Sequence, residues 1–139
     1  MKIILEEKDK YIIRFDKGEE LISGLIEFCQ AKKIKAGFFI ALGATSQVVL
    51  SYYHLDKKEY QEKKIDEDLE IVSLSGNVAE MEGKIIIHSH GIFADSQMRT
   101  YGGHLNKLVV SGTGEVLLDV FQGKIERQYS QEIGLNLMK

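Results

Sequence analysis

Three of the four histidines fall in a pattern that suits a metal ion. His88 and His90 stand two residues apart in Lys84-Ile85-Ile86-Ile87-His88-Ser89-His90. In an extended strand, residues i and i+2 face the same way, so the two imidazoles project side by side and Ser89 turns to the other face. Neutral imidazole is a common zinc ligand and also suits iron, copper and nickel. The three isoleucines ahead of the pair anchor the strand in a core. The best third ligand is His104 in Gly102-Gly103-His104-Leu105, where paired glycines let the backbone approach closely. Three protein ligands leave one position open for water or substrate, as in catalytic rather than structural zinc sites. His54, in Ser51-Tyr52-Tyr53-His54, reads as a sheet histidine rather than a fourth ligand.

A zinc ion at such a site would lower the pKa of a bound water toward ~7 and polarise a carbonyl or phosphoryl oxygen. Catalysis also asks for a general acid or base nearby. Glu70, Asp95 and Tyr101 are the candidates, and Arg99 could hold a carboxylate or phosphate ligand by a two-point hydrogen bond. Each has a plainer role beside the chemical one. Glu70 could orient a histidine from behind, and Asp95 and Arg99 could simply pair within their polar loop. The sequence has no nucleophile motif, phosphate-binding glycine loop or Cys-x-x-Cys.

Strands must position these residues. Lys2–Glu6 and Tyr11–Phe15, separated by polar residues, predict a hairpin. Leu21, Ile22, Leu25, Ile26, Phe28 and Cys29 form a helical stripe, with Asp16 or Gly18 as the expected cap. Gly37–Leu42 is nearly continuous apolar, as in a buried strand. Strands are also expected at Gln47–Leu55, Lys58–Ile65 (an edge), Leu69–Ala79 and Lys84–His90. Leu105–Val110 and Glu115–Phe121 read as paired strands around a turn at Gly112-Thr113-Gly114. Lys124–Tyr129 and Leu135–Met138 finish the chain. The class is α+β: a mostly antiparallel β-sheet with one main helix packed on it.

The 139 residues suit one domain over 1–139. Lysine and arginine number 18 against 21 acidic residues, a net charge of −3. That balance gives nucleic-acid binding no support, although a local basic patch is compatible with it. Cys29 is the only cysteine, which excludes an intrachain disulfide and fits a reducing compartment. No apolar stretch approaches the ~20 residues of a membrane helix, so no membrane partner and a cytoplasmic location are expected.

His88-Ser89-His90, thirteen residues, then His104 within Gly102-Gly103-His104-Leu105 resembles the plant and prokaryote conserved domain (PPC, also called DUF296). The run Leu69-Glu70-Ile71-Val72-Ser73-Leu74-Ser75-Gly76-Asn77 and Gly43-Ala44 after an apolar strand fit the same pattern, which covers essentially the whole chain. The resemblance implies a PPC-like, mostly antiparallel fold, a homotrimer and zinc on His88, His90 and His104. It also places Asp95 and Arg99 where the family often has an acid and an arginine. Met98 stands where a glycine commonly accompanies that arginine. Plant members join the domain to a proline-containing DNA-binding hook, and this chain has no proline. The arginine of their Gly-Arg-Phe-Glu-Ile-Leu run is Asp68 here.

Three functions are then in play. The first is a zinc-binding trimer whose open position takes a small ligand or supports a reaction. The second is a DNA-binding or regulatory module, for which the sequence offers only scattered lysines (Lys32, Lys33, Lys35, Lys57, Lys58, Lys63, Lys64). The third is an oligomerisation module.

Overall fold

A computed structural model describes residues 1–139. Its elements are β1 (Lys2–Glu7), β2 (Lys10–Asp16), α1 (Leu21–Lys32), β3 (Gly37–His54), β4 (Glu59–Ile65), β5 (Leu69–Met81), β6 (Lys84–Ala94), β7 (Thr100–Val120), β8 (Arg127–Ser130) and β9 (Leu135–Met138). Every pairing between named strands is antiparallel. Strands β1 to β7 form one sheet and β8–β9 a separate hairpin.

The sheet closes on itself through its two longest strands. The first half of β3 lies between β5 and the second half of β7. Its second half lies between β4 and the first half of β7. Strand β6 bridges β5 and the start of β7. Strands β1 and β4 are the free edges, so the expected edge at Lys58–Ile65 holds. Inside lie Phe15, Phe39, Phe93, Leu74, Leu108 and Leu118, all essentially inaccessible to water. The helix packs Leu21, Leu25, Phe28 and Cys29 into this core, against β6 and β7.

Four details depart from the sequence expectations. Leu105–Val110 and Glu115–Phe121 are not two strands around a turn but parts of the single strand β7. Gly114, opposite Gly43, marks a close crossing instead. At Gly43, where φ is +137°, an added Cβ would sit 1.9 Å from the Thr113 carbonyl oxygen. The glycines let β3 and β7 stay in contact through a sharp coil, the use of strand glycine at close backbone approach. The register shifts around Thr45 at the same place, and the Thr45 hydroxyl donates to the Val109 carbonyl at 2.6 Å.

Second, Gly37–Leu42 and Gln47–Leu55 likewise merge into β3. Third, Gly37–Leu42 is not buried on both faces: Phe38, Ile40 and Leu42 alternate outward and are exposed. Fourth, the helix cap is neither Asp16 nor Gly18 but Glu20. Its carboxylate accepts from the Ile22 and Ser23 N–H groups and from Leu108 N–H on β7. One side chain thereby satisfies orphan donors of the helix and ties it to the sheet.

Candidate metal centre

Strand β6 carries Ile85, Ile87 and Ser89 inward, and Ile86, His88 and His90 on the opposite face. Across the ladder, His90 is the direct partner of His104 on β7, and His88 is the partner of Asn77 on β5. The alternation therefore brings all three rings together. Their centroids are 5.1 Å (His88–His90), 5.1 Å (His88–His104) and 5.4 Å (His90–His104) apart. One ligand nitrogen from each lies within 4.8 Å of the others. His54 is elsewhere, bonded to Gln61 at 3.0 Å, as expected of a sheet histidine.

The site fits a tetrahedral ion on geometric grounds. Zinc–nitrogen bonds of about 2.0–2.1 Å put neighbouring ligand nitrogens about 3.3–3.4 Å apart. The Nε2 atoms of His88 and His90 are already 3.3 Å apart. Half-burial and the neighbouring Arg127, His104 and His90 push His88 down to about 4. Burial, His90 and Arg127 lower His104 as well. Both rings are thus neutral at neutral pH, the form that ligates a metal.

Sequence reasoning missed two neighbours, Arg127 and Tyr60. Arg127, the first residue of β8, places its Nη2 2.8 Å from Asn77 Oδ1 and 3.3 Å from His88 Nδ1. Its Nη1 donates to the Asn136 carbonyl on β9 at 2.7 Å, while Nε is buried without a partner. Tyr60, on edge strand β4, packs its ring against His104 at 5.3 Å. A hollow of about 320 Å³ is lined by these groups together with Ile86, Ile87, Leu135 and Leu137. No local pattern marks Arg127 in the sequence, because only the docking of the terminal hairpin brings it here.

A guanidinium has donors only. The His88 nitrogen that faces Arg127 must therefore be the unprotonated one, leaving the proton on Nε2, toward His90. Ligation through Nε2 requires the other tautomer, with Nδ1 protonated. That proton and the guanidinium would be two donors facing each other, so metal binding and the Arg127–His88 contact compete.

The remaining candidates gather at the far end of the same ladder. Asp95 is buried in the β6–β7 connection, where its Oδ1 accepts from the Gln97 and Arg99 N–H groups at 2.9 and 3.0 Å. Its Oδ2 accepts from Arg99 Nε at 2.7 Å and from the Tyr101 hydroxyl at 3.4 Å. Burial alone would raise Asp95, but the bonds from Arg99 and the backbone override it and hold it below its usual range. Glu70 is exposed beside this cluster, its backbone paired with Ala94. Ala94 is four positions along β6 from His90, about 13 Å. Asp95, Arg99, Tyr101 and Glu70 are thus one group, and the histidines another.

A closed antiparallel sheet with one packed helix and a three-imidazole cluster on its wall defines the class. Residues 5–122 match the model of the Plants and Prokaryotes Conserved (PCC) domain. The chain belongs to that family. It resembles a metal-containing protein of Archaeoglobus fulgidus, with 34% identity, TM-score 0.88, and coverage of 100% of this chain and 99% of that one. It also resembles a putative DNA-binding protein of Bacteroides thetaiotaomicron, with 28% identity, TM-score 0.94, and coverage of 97% and 94%. A bifunctional protein GlmU of Synechococcus sp. (strain JA-3-3Ab) is 32% identical over 121 residues, 85% of this chain. The chain spans only 18% of that relative's length. No helix is long and apolar enough to cross a membrane.

Proposed function

We propose that this protein holds a zinc ion on His88, His90 and His104 and keeps one coordination position open for a small ligand. The observation that carries the reading is the convergence of three half-buried or exposed imidazoles, two of them already at tetrahedral spacing. The metal-containing relative from Archaeoglobus fulgidus supports it. A bound zinc would supply Lewis acidity and an acidified water. The chain's own part is to keep the His88 and His104 rings neutral, orient all three from a rigid ladder, and wall the open side with Tyr60 and the terminal hairpin.

The protein acts as a self-associated assembly, a homotrimer, in this reading. Its support is an exposed apolar row crossing four strands: Leu5 beside Ile12, Ile12 beside Leu117, Leu117 beside Ile40. Phe38 and Leu42 extend it along β3. Contiguous apolar surface of this kind marks an interface. Replacing Ile40 with Lys is expected to shift the mass in light scattering toward the monomer, and an unchanged mass removes this face from the assembly.

Metal analysis of the purified protein tests the central reading. About one equivalent of zinc per chain is expected, falling below roughly a tenth in His88→Ala and His104→Ala, because two remaining imidazoles hold zinc far more weakly. Equal content in wild type and variants would remove the site. The DNA-binding reading draws on the name of the Bacteroides relative. Sequence-specific binding of genomic fragments at physiological salt would support it; binding confined to low salt would not.

A further inference from the structure

The charge around the histidines is one-sided. None of the residues lining the 320 Å³ hollow is acidic. Arg127 takes part in none of the chain's ion pairs. Its partners are an amide oxygen, a carbonyl and an imidazole, all neutral, and its Nε has none. A partly desolvated cation without a counter-charge is costly, and a divalent ion a few ångströms away adds two more positive charges. The protein supplies nothing to offset them, so the compensating charge belongs to whatever fills the hollow.

We infer that the hollow is a subsite for a small organic carboxylate, held by the Arg127 guanidinium next to the three-histidine centre. This rests on the proposed metal reading. A planar guanidinium fork matches a carboxylate by paired hydrogen bonds. Leu135, Leu137 and Ile86 give the hydrocarbon body of such an acid an apolar wall, the usual make-up of a small-ligand pocket. The tautomer argument adds a coupling. Once His88 ligates through Nε2, its protonated Nδ1 no longer accepts from Arg127, and the Nη2 donor is released toward the hollow. Metal and carboxylate therefore bind with positive cooperativity, and the coupling is reciprocal.

Cobalt(II) in place of zinc gives a visible spectrum that reports both events. Isobutyrate is the probe and isobutyramide its uncharged control. The loaded wild-type protein is expected to change its spectrum with isobutyrate and not with the amide. Arg127→Met is expected to weaken isobutyrate about tenfold or more while binding cobalt as tightly as wild type or tighter, since a repelling charge is gone. Arg127→Lys, which keeps the charge but not the fork, should fall between, and serves if the Met variant does not fold. Equal isobutyrate affinity in wild type and variants, or equal binding of the amide, overturns the subsite. So does weakening of cobalt and isobutyrate together, which marks Arg127 as a mere support of the hairpin. If cobalt does not bind the wild type, the metal reading fails separately. Saturation-transfer NMR of isobutyrate on the metal-free chain then decides the subsite: a transfer signal that vanishes in Arg127→Met supports it, and no signal in wild type overturns it.

Discussion

The two ends of the β6–β7 ladder each hold an arginine, in opposite circumstances. At the tip, Arg99 meets the buried carboxylate of Asp95 at 2.7 Å, and the same carboxylate accepts two backbone N–H groups. About four residues down, Arg127 meets only neutral groups. Charge at the tip is consumed in shaping the connection. Charge at the histidine end is left for something outside the chain. In the proposed reading the unpaired cation, rather than the conspicuous acid–base pair, marks the ligand site.

The sharpest test of that contrast swaps the damage. Asp95→Ala strands two backbone donors and a guanidinium, so the melting temperature should fall by about 5–10 °C. Metal content should stay at the wild-type level. His104→Ala should do the reverse, leaving the metal-free melting temperature within a degree or two and removing the metal. If Asp95→Ala also empties the site, the two ends are not independent.

Acid should separate the ends by pH. His88 falls from about 6.5 unfolded to about 4 folded, so between these values the unfolded chain takes up a proton that the native ring refuses. Stability of the metal-free protein is therefore complete above about pH 6.5 and declines toward pH 4. The ring is partly exposed, so screening reduces the effect to on the order of 1 kcal/mol. Denaturant titrations at pH 7 and pH 5 should show a larger loss in wild type than in His88→Gln, where the lowered His104 still contributes. Asp95 acts lower: its folded value lies below the unfolded 3.8, so its contribution is lost only as pH falls through and below that point.

The smallest effect concerns the tip's shape. Met98 adopts φ +62°, the left-handed region that costs a side-chain-bearing residue about 1–2 kcal/mol. It is 80% exposed and packs on little. Met98→Gly should stabilise the protein by about 0.5–1 kcal/mol after the entropic cost of glycine. This also explains how the chain keeps the connection where a glycine was expected from the family resemblance. Destabilisation would show that the methionine side chain has a packing partner of its own.

Period-2 alternation was enough to read the face shared by His88 and His90, because a strand offers only two faces. The Gly-Gly setting of His104 was legible too, since a Cβ added at Gly103 would sit 3.0 Å from the Ser51 carbonyl oxygen. The continuity of β3 and β7 was not. Glycines that permit a turn equally permit a close crossing, and only the partner strand decides between them. Arg127 was invisible for a related reason: its meaning depends on where the terminal hairpin docks, and no local pattern encodes that. Glu70 looked like a histidine partner from its place in a familiar run. The register instead sets it opposite Ala94, out of reach of the rings.

Strand β7 has a consequence for how the molecule is made. It is a shared neighbour of β2, β3 and β6, joining residues as distant as Lys10 and Asp119. Such long-range closure is slow, because chain entropy is spent before the contacts form. The β6–β7 hairpin is the local exception: His90 and His104 pair across the short 95–99 connection and come together with His88 early, whereas Arg127 reaches them only when the terminal hairpin docks. Early in folding the three imidazoles already share one face of this hairpin, and the walled hollow forms only when Tyr60 and Arg127 arrive beside them. In pulse-labelled hydrogen exchange, protection of the β6–β7 hairpin at His90–Ala94 should appear before that of the first half of β3, which pairs with the distant end of β7.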